Sequence, residues 1–599
     1  MTSDARTDWE QRIALRSDQS SLELPDLDPP ASVAAVGGVG QVTIDWSPVP
    51  GAVGYLILRC VAPDGELMPV DHHSGDVLSV PSGPYVDTTC TPGTTYRYAV
   101  ASVPEVTTRG RPSHQVEATP LALSNETPVV TIHVDAVAEG IELHRPWVPM
   151  VGSERLSQLL CEDLTGGKRI GAELESALRR MHDELGVRTV RAHAIFHDDT
   201  RIETEGPAAY DFSVVDAIYD KVLAIGMRPV VELGFMPRDL ASDPSKTVFA
   251  YGAIISPPKD YDRWGLLIKK LVQHLVDRYG LDEVRHWDFE VWNEANLEVF
   301  WSGTKAEWLR LYDVTAAAVR SVDDGLSVGG PSSAAAGWVD DLLAHAASSG
   351  SPVDFVTTHT YGSPPLDVRA SLDRHGFGDA RILWTEWGVT PTHFNPISDS
   401  VFAGIFLLRG MRSAAGRVEA LAYWVASDHF EELGRPPKLL HGGFGLLTVG
   451  GLAKPRFHAL SLLDRLGPVE LPVAMSGDGG GSLIEAWASR DRDRVAVLVW
   501  NLTLDQTKAD GAAELARTIR LDVAGLDESW QVTATTLATG VGDVAAAAAD
   551  LGVGVWPSDD QWKALAERSA LTTRPIVADG NTVELTLPMP SAVLLEFKP

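Results

Sequence analysis

The chain has 599 residues, 44% hydrophobic and 22% charged, a soluble globular composition with enough length for two to four domains. Its formal net charge of −31 argues against nucleic acid or an anionic membrane as partner, since both bind through basic patches, and against a strongly anionic polymer substrate. Met1–Ser20 alternates polar and charged residues, and no stretch approaches the ~18–20 uninterrupted apolar residues of a spanning helix, so neither signal peptide nor membrane anchor is expected. Cys60, Cys90 and Cys161 supply no disulfide framework and no zinc pattern. A cytoplasmic enzyme with reduced thiols is the expectation; the sequence leaves open whether Cys60 and Cys90 pair, and whether copies assemble into a homo-oligomer.

Residues 1–27 form a polar N-terminal segment expected to be flexible. Over 28–120 the pattern becomes short alternating strands broken by Gly and Pro, as in Gln41–Trp46, Gly54–Arg59 and the strand after Pro92-Gly93-Thr94. This stretch resembles a fibronectin type III module, with Trp46 at its core tryptophan position and Tyr96 at the tyrosine after the turn. Such a module implies a spacer or docking role without chemistry. Residues 121–142 read as a linker whose Thr127–Val134 donates a strand to the C-terminal domain.

From 143 to 466 strands and helices alternate. Phe212, Val215, Ile218, Val222 and Ile225 fall at helical spacing, as do Trp264, Ile268, Leu271, Val272, Leu275 and Tyr279. Eight strands are predicted at 144–152, 188–196, 227–235, 286–294, 326–331, 354–361, 381–388 and 420–427, which suits a (β/α)8 TIM barrel. No Gly-x-Gly-x-x-Gly turn follows the early strands, which disfavours an open doubly wound sheet. Residues 467–599 return to short strands and read as a β-sandwich with one inserted helix, Asp559–Ser569. The chain is thus expected to be multidomain, with the barrel flanked by two β-sandwiches.

In a barrel the chemistry sits where strand C-termini open into loops. Strand four ends in Trp292-Asn293-Glu294 and strand seven in Trp384-Thr385-Glu386-Trp387. Two carboxylates at two strand mouths, flanked by tryptophans, are what glycoside hydrolysis requires: one protonates the leaving oxygen, the other attacks the anomeric carbon, and sugar faces stack on rings. Glu290 shares parity with Glu294 and is expected to be a paired charge inside the barrel. A metal-dependent barrel hydrolase would want clustered ligands such as His-x-His on strand one; none is seen, and neither metal nor cofactor is expected.

Several motifs in order resemble glycoside hydrolase family 39, over roughly 130–470: Arg191 to Asp199, Glu232 to Pro237, Ser256 to Tyr261, Phe289 to Leu297, Thr358 to Tyr361, Thr385-Glu386-Trp387, Asp428 to Glu432 and His441 to Leu447. That family holds β-xylosidases, α-L-iduronidases and other exo-glycosidases. The resemblance implies a retaining enzyme with Glu294 as acid/base, Glu386 as nucleophile and Asn293 bonding the sugar 2-hydroxyl. It also implies substrate-binding roles for His359 and Tyr361 at the mouth of strand six, and for Arg191 and His193 on one face of strand two, orienting Glu386 or the sugar. His197 and Asp198 after strand two, Trp424 at the end of strand eight, and Asp428, Glu431 and Glu432 in the following loop complete the expected substrate set. One departure stands out: the family commonly reads Asn-Glu-Pro, and this chain has Ala295, so the fourth loop and the sugar it accepts are open to change.

The expected partner is an oligosaccharide or glycoside. The acidic loop after strand eight favours a neutral sugar, a β-xyloside first, with an α-L-arabinoside, β-glucoside or β-galactoside as alternatives; Arg191, Arg238 or Arg435 would have to receive the carboxylate of an α-L-iduronide. A noncatalytic carbohydrate-binding protein is the remote alternative.

Overall fold

Eight parallel strands close into a barrel in chain order. They are β1 (Met150–Ser153), β2 (Thr189–Ala192), β3 (Arg228–Leu233), β4 (Asp288–Val291), β5 (Ser327–Ser333), β6 (Phe355–Tyr361), β7 (Arg381–Gly388) and β8 (Ala420–Tyr423). Each overlaps one of the eight predicted segments. The computed structural model describes residues 22–73, 79–123, 126–202, 210–526 and 530–599, with residues 11 and 13. Most of the N-terminal segment 1–27, expected to be flexible, lies outside the described residues.

The crossover helices form for local reasons. Ser213–Ile225 buries Val215, Ile218, Val222 and Ile225 on one face and stops at Gly226, whose φ of 100° suits glycine. Tyr261–Tyr279 starts at Asp260, whose side chain accepts from the amides of Asp262 and Arg263, and buries Trp264, Ile268, Leu271, Val272 and Leu275. Lys305–Arg320 opens with a capping box between Thr304 and Glu307. Full burial of each large apolar side chain contributes about 1.5–3 kcal/mol.

Strand parity divides the barrel interior into layers. Met150, Val230, Phe355, Leu383, Ala420 and Ala422 form a separate apolar cluster. Two or four residues further along the same strand faces come Glu232, His359, Thr385 and Trp424. Period-two alternation therefore lays a polar tier above an apolar one, on the side where the strands end.

Around the barrel stand two sandwiches. C-terminally, a seven-stranded sheet faces a four-stranded one, and the latter includes Val129–Asp135 from before the barrel, parallel to Arg517–Ala524 and antiparallel to Val473–Gly477. At the N-terminus, Val33–Gly38, Gln41–Trp46 and Tyr85–Asp87 form one sheet, and Met68–Pro69, Gly54–Val61, Tyr96–Val103 and Val116–Ala118 the other. The Tyr96 hydroxyl accepts from the Thr91 amide at 3.0 Å, and Trp46 packs on Tyr55. This module is tied to its neighbours: the Val39 amide donates to Asp478 at 2.8 Å, Thr88 and Thr503 share a 2.6 Å hydrogen bond, and the Asp367 amide donates to the Val53 carbonyl at 2.8 Å. Cys60, Cys90 and Cys161 are free thiols. Among the described residues no helix is long and apolar enough to cross a membrane.

Candidate active site

Arg191 on β2 is the centre of the polar tier, with its side chain fully buried. Its Nε donates to Glu290 Oε2 at 2.8 Å and its Nη1 to Glu386 Oε1 at 2.5 Å. Nη2 donates to Asn293 Oδ1 at 2.8 Å and Ser332 Oγ at 3.0 Å, and lies 2.7 Å from Glu232 Oε2. A rigid fork of five N–H groups can serve acceptors on several sides at once, which a lysine cannot. Burial alone would lower the guanidinium pKa, but Glu290, Glu232 and Glu386 hold it well above the ordinary value. Glu290 is a paired interior charge, with Thr385 donating to its Oε1 at 2.8 Å. Of the two roles expected for Arg191, orienting Glu386 is the one this geometry matches.

Glu386, at the end of β7, is held on both oxygens. Arg191 takes Oε1, and the Tyr361 hydroxyl donates to Oε2 at 2.7 Å. Burial, then the Glu386 charge, keeps the Tyr361 phenol protonated well above its ordinary range. His193 Nδ1 and Glu232 Oε2 share a 2.7 Å hydrogen bond, and Nε2 lies 3.6 Å from Glu386 and 3.5 Å from Glu432. Burial, with Arg191 close by, lowers His193 to about 3, so this ring is neutral. Trp424 packs against His193 at 4.7 Å between ring centroids, and the Arg191 guanidinium lies over its indole.

Glu294 follows β4 in a tight turn, with φ of 44° at the residue itself and its amide donating to the Ser332 carbonyl at 2.6 Å. A left-handed non-glycine residue costs about 1–2 kcal/mol, and the Ser332 bond offsets part of that while aiming the side chain across the mouth. His359 Nδ1 lies 2.8 Å from Glu294 Oε1. One oxygen of Glu294, one oxygen of Glu386 and a nitrogen of His359 fall within 4.8 Å of one another. Those three atoms could ligate a cation, but Glu386 already has donors on both oxygens and Arg191 supplies the positive charge.

The loop after β8 brings one of its acids to the centre. Burial, then Glu386, Glu154 and Glu294, push the Glu432 carboxyl well above the usual range. Glu431 instead bonds Arg155 at 2.9 Å and Arg435 at 3.0 Å. Arg155 also reaches Asp199 at 2.5 Å and Glu154 at 3.3 Å, clasping three loops at the barrel mouth.

Besides Glu431, three expected substrate contacts are redirected. Asp428 is buried, with Oδ2 2.6 Å from Lys454 Nζ and Oδ1 accepting from the Gly445 amide at 2.9 Å, so its acceptors serve the loop. Asp198 is exposed and pairs with Arg238 at 2.8 Å. His197 donates to the Tyr251 carbonyl at 3.0 Å and braces the loop that carries it. Residues not singled out from sequence join the centre: Glu232, raised by burial to about 7; Glu154, likewise about 7; and Ser332 and Thr385. Glu232 and Glu154 stand at or just past strand ends, the signal that singled out Glu294 and Glu386.

The family model of Glycosyl hydrolases family 39 matches residues 130–582. The chain belongs to that family. Similarity extends to a Beta-xylosidase of Geobacillus stearothermophilus, 36% identical over 57% of this chain and 73% of that protein. A Beta-xylosidase of Caldicellulosiruptor saccharolyticus is 35% identical over 54% of this chain and 69% of its own. Among solved structures, a GH39 Beta-xylosidase from Caulobacter crescentus superposes with a TM-score of 0.66 at 32% identity, over 78% of this chain and all of that one. This family 39 protein is a glycoside hydrolase. Its N-terminal sandwich lies outside the family match, which starts at residue 130.

Proposed function

We propose that the enzyme is a retaining exo-glycosidase that releases a terminal neutral sugar, xylose from β-xylosides first, with Glu386 as nucleophile and Glu294 as acid/base. The observation that carries this is the closeness of the Glu294–Glu386 pair, one oxygen of each lying within 4.8 Å of the other. Retaining enzymes keep their carboxyls ~5–5.5 Å apart, whereas inverting ones need ~6.5–9.5 Å for a water.

The chemistry follows from the partners. Arg191 and Tyr361 align Glu386 on both oxygens for attack on the anomeric carbon. Glu294 gives its proton to the departing oxygen, and as a carboxylate then takes one from the water that cleaves the glycosyl ester. Asn293 has its carbonyl on Arg191, which leaves its amide NH2 for the sugar 2-hydroxyl. Glu432 offers hydroxyl-binding oxygens beside Glu386.

Electrostatics support a neutral glycone. Arg155, Arg191, Arg238 and Arg435 are each already held by carboxylates. A uronate would meet the Glu386 charge beside the Glu432 and Glu294 carboxyls, with no cation free among these four. The Beta-xylosidases at 36% and 35% identity support the pentose. Free thiols support a reducing, cytoplasmic setting. The N-terminal sandwich is read as a fibronectin type III-like docking module, on its two sheets and the Tyr96–Thr91 bond.

The test is kcat/KM on aryl β-xyloside, α-L-arabinoside, β-glucoside, β-galactoside and α-L-iduronide. β-Xyloside leads if this reading is right. A hexoside in the lead would remove the pentose choice, and iduronide in the lead would overturn the electrostatic argument. No hydrolysis of any of them would favour a noncatalytic binder.

A further inference from the structure

Behind the Glu294–His359 contact lies a chain of hydrogen bonds that the reading above does not use. Thr385 Oγ1 stands between two partners, Glu290 Oε1 at 2.8 Å and His359 Nε2 at 3.1 Å. A threonine hydroxyl has one proton. Glu290, ion-paired to Arg191 through its other oxygen, can only accept, so that proton goes to Glu290. Thr385 Oγ1 is then an acceptor towards His359, and Nε2 must carry hydrogen. Ser332 Oγ, 3.3 Å from the same nitrogen, already accepts from Arg191 Nη2 and is the more distant partner. His359 is neutral, since burial lowers it to about 4, so its single proton sits on Nε2. Nδ1 then presents a lone pair to Glu294 Oε1 at 2.8 Å. Two acceptors cannot share that distance, so the carboxyl must be the donor.

We infer that Thr385 is a positioning residue for acid catalysis: with Glu290 it fixes the His359 tautomer whose Nδ1 accepts from Glu294, so the site selects Glu294 in its protonated form. This deepens the reading of Glu294 as acid/base and rests on it. The same device serves the second half of the reaction. Once Glu294 has released its proton, its carboxylate faces the Nδ1 lone pair at hydrogen-bond distance. That repulsion favours recovery of a proton from the incoming water. The other ionisable groups around Glu294 are Glu386, Tyr361 and Glu432; His359 also feels Glu386, Arg191, Glu290 and His193. None of these dictates which nitrogen of His359 carries the proton; Thr385 does.

The experiment compares Thr385→Val, which keeps shape but loses the acceptor, with Thr385→Ser, which keeps it. In the valine variant His359 can move its proton to Nδ1 and donate to ionised Glu294. The alkaline limb of kcat/KM should then fall by about one pH unit, a tenfold shift in the proton equilibrium. At neutral pH the loss on an alkyl or unactivated phenyl xyloside should exceed the loss on the dinitrophenyl xyloside by about tenfold, and serine should restore both readouts. 15N NMR of histidine-labelled protein reads the tautomer without any catalysis: the His359 signals should report protonated Nε2 in wild type and Thr385→Ser, and protonated Nδ1 in Thr385→Val. An equal loss on both substrates with an unmoved alkaline limb, or protonated Nδ1 in wild type, would overturn the inference. Glu294→Ala on the same two substrates separates the two ideas. If it shows no leaving-group split, the assignment of Glu294 is what failed; if it splits and Thr385→Val does not, the relay failed.

Discussion

Tyr361 Oη donates to Glu386 Oε2 at 2.7 Å, on the oxygen opposite the one that Arg191 holds. In the proposed mechanism the phenol stabilises Glu386 whenever it is anionic, both before attack and as the group expelled when the glycosyl ester is cleaved. A hydrogen bond to a charged group contributes about 1.5–3 kcal/mol. Tyr361→Phe should lower kcat by roughly ten- to a hundredfold, with the ester accumulating and a burst of aryl alcohol visible by stopped flow. Unchanged kcat would show that Arg191 alone suffices.

Replacing Arg191 tests the barrel's polar tier as a structural unit. Arg191→Met leaves Glu232, Glu290 and Glu386 buried with no counter-charge, and breaking such a pairing costs about 3–5 kcal/mol. The variant should lose activity together with a large drop in thermal midpoint. A midpoint within a degree of wild type would mean that water or protonation relieves the carboxylates.

Glu432 and Asp428 should separate by readout. Glu432→Ala should raise KM for the glycoside and lower kcat/KM by ~10- to 100-fold, because a hydroxyl-binding carboxyl is lost. Asp428→Asn should act on stability, by about 1–3 kcal/mol, since Lys454 loses half of the carboxylate pair it shares with Asp399. Urea melts and Michaelis constants on both variants check this; a KM effect at Asp428 with normal stability would return that residue to the substrate.

The contrast shows what the sequence carried. All eight barrel strands were legible because buried parallel strands and amphipathic helices alternate plainly, and Glu294 and Glu386 stood out as acids at strand ends between tryptophans. Asp428 misled because its partner, Lys454, is distant in sequence at the start of the next barrel helix, and only the fold brings them together. Glu431 and Glu432 are adjacent and identical in type, yet one bonds two arginines and the other faces the centre; loop geometry decides that. Thr385 was quoted within a motif, but its role depends on contacts with Glu290 and His359 from two other strands, which no local pattern records.

A pH dependence follows from His458, which lies outside the active site. Burial, with Arg180 adding a smaller push, lowers it to about 4, while its Nε2 donates to the Ser569 carbonyl at 2.8 Å. Its folded value lies below the unfolded one, so the stability it contributes is present above about pH 6.5 and is lost as pH falls towards 4. The cost on acidification is on the order of 3 kcal/mol. His458→Gln keeps a donor to Ser569 without the titration, so its urea stability should fall less steeply than wild type between pH 6.5 and 4. Parallel curves would refute this.

The assignment of the two carboxylates is tested most directly by adding azide to Glu294→Ala and Glu386→Ala and identifying the products by proton NMR. With Glu294 removed, the glycosyl ester on Glu386 still forms from an activated aryl glycoside, and azide enters the space vacated by the acid. The account predicts restored turnover for Glu294→Ala, giving a glycosyl azide of the same anomeric configuration as the substrate, and no turnover by double displacement for Glu386→Ala. Rescue of Glu386→Ala with an azide of inverted configuration, and none for Glu294→Ala, would contradict the account by exchanging the two roles.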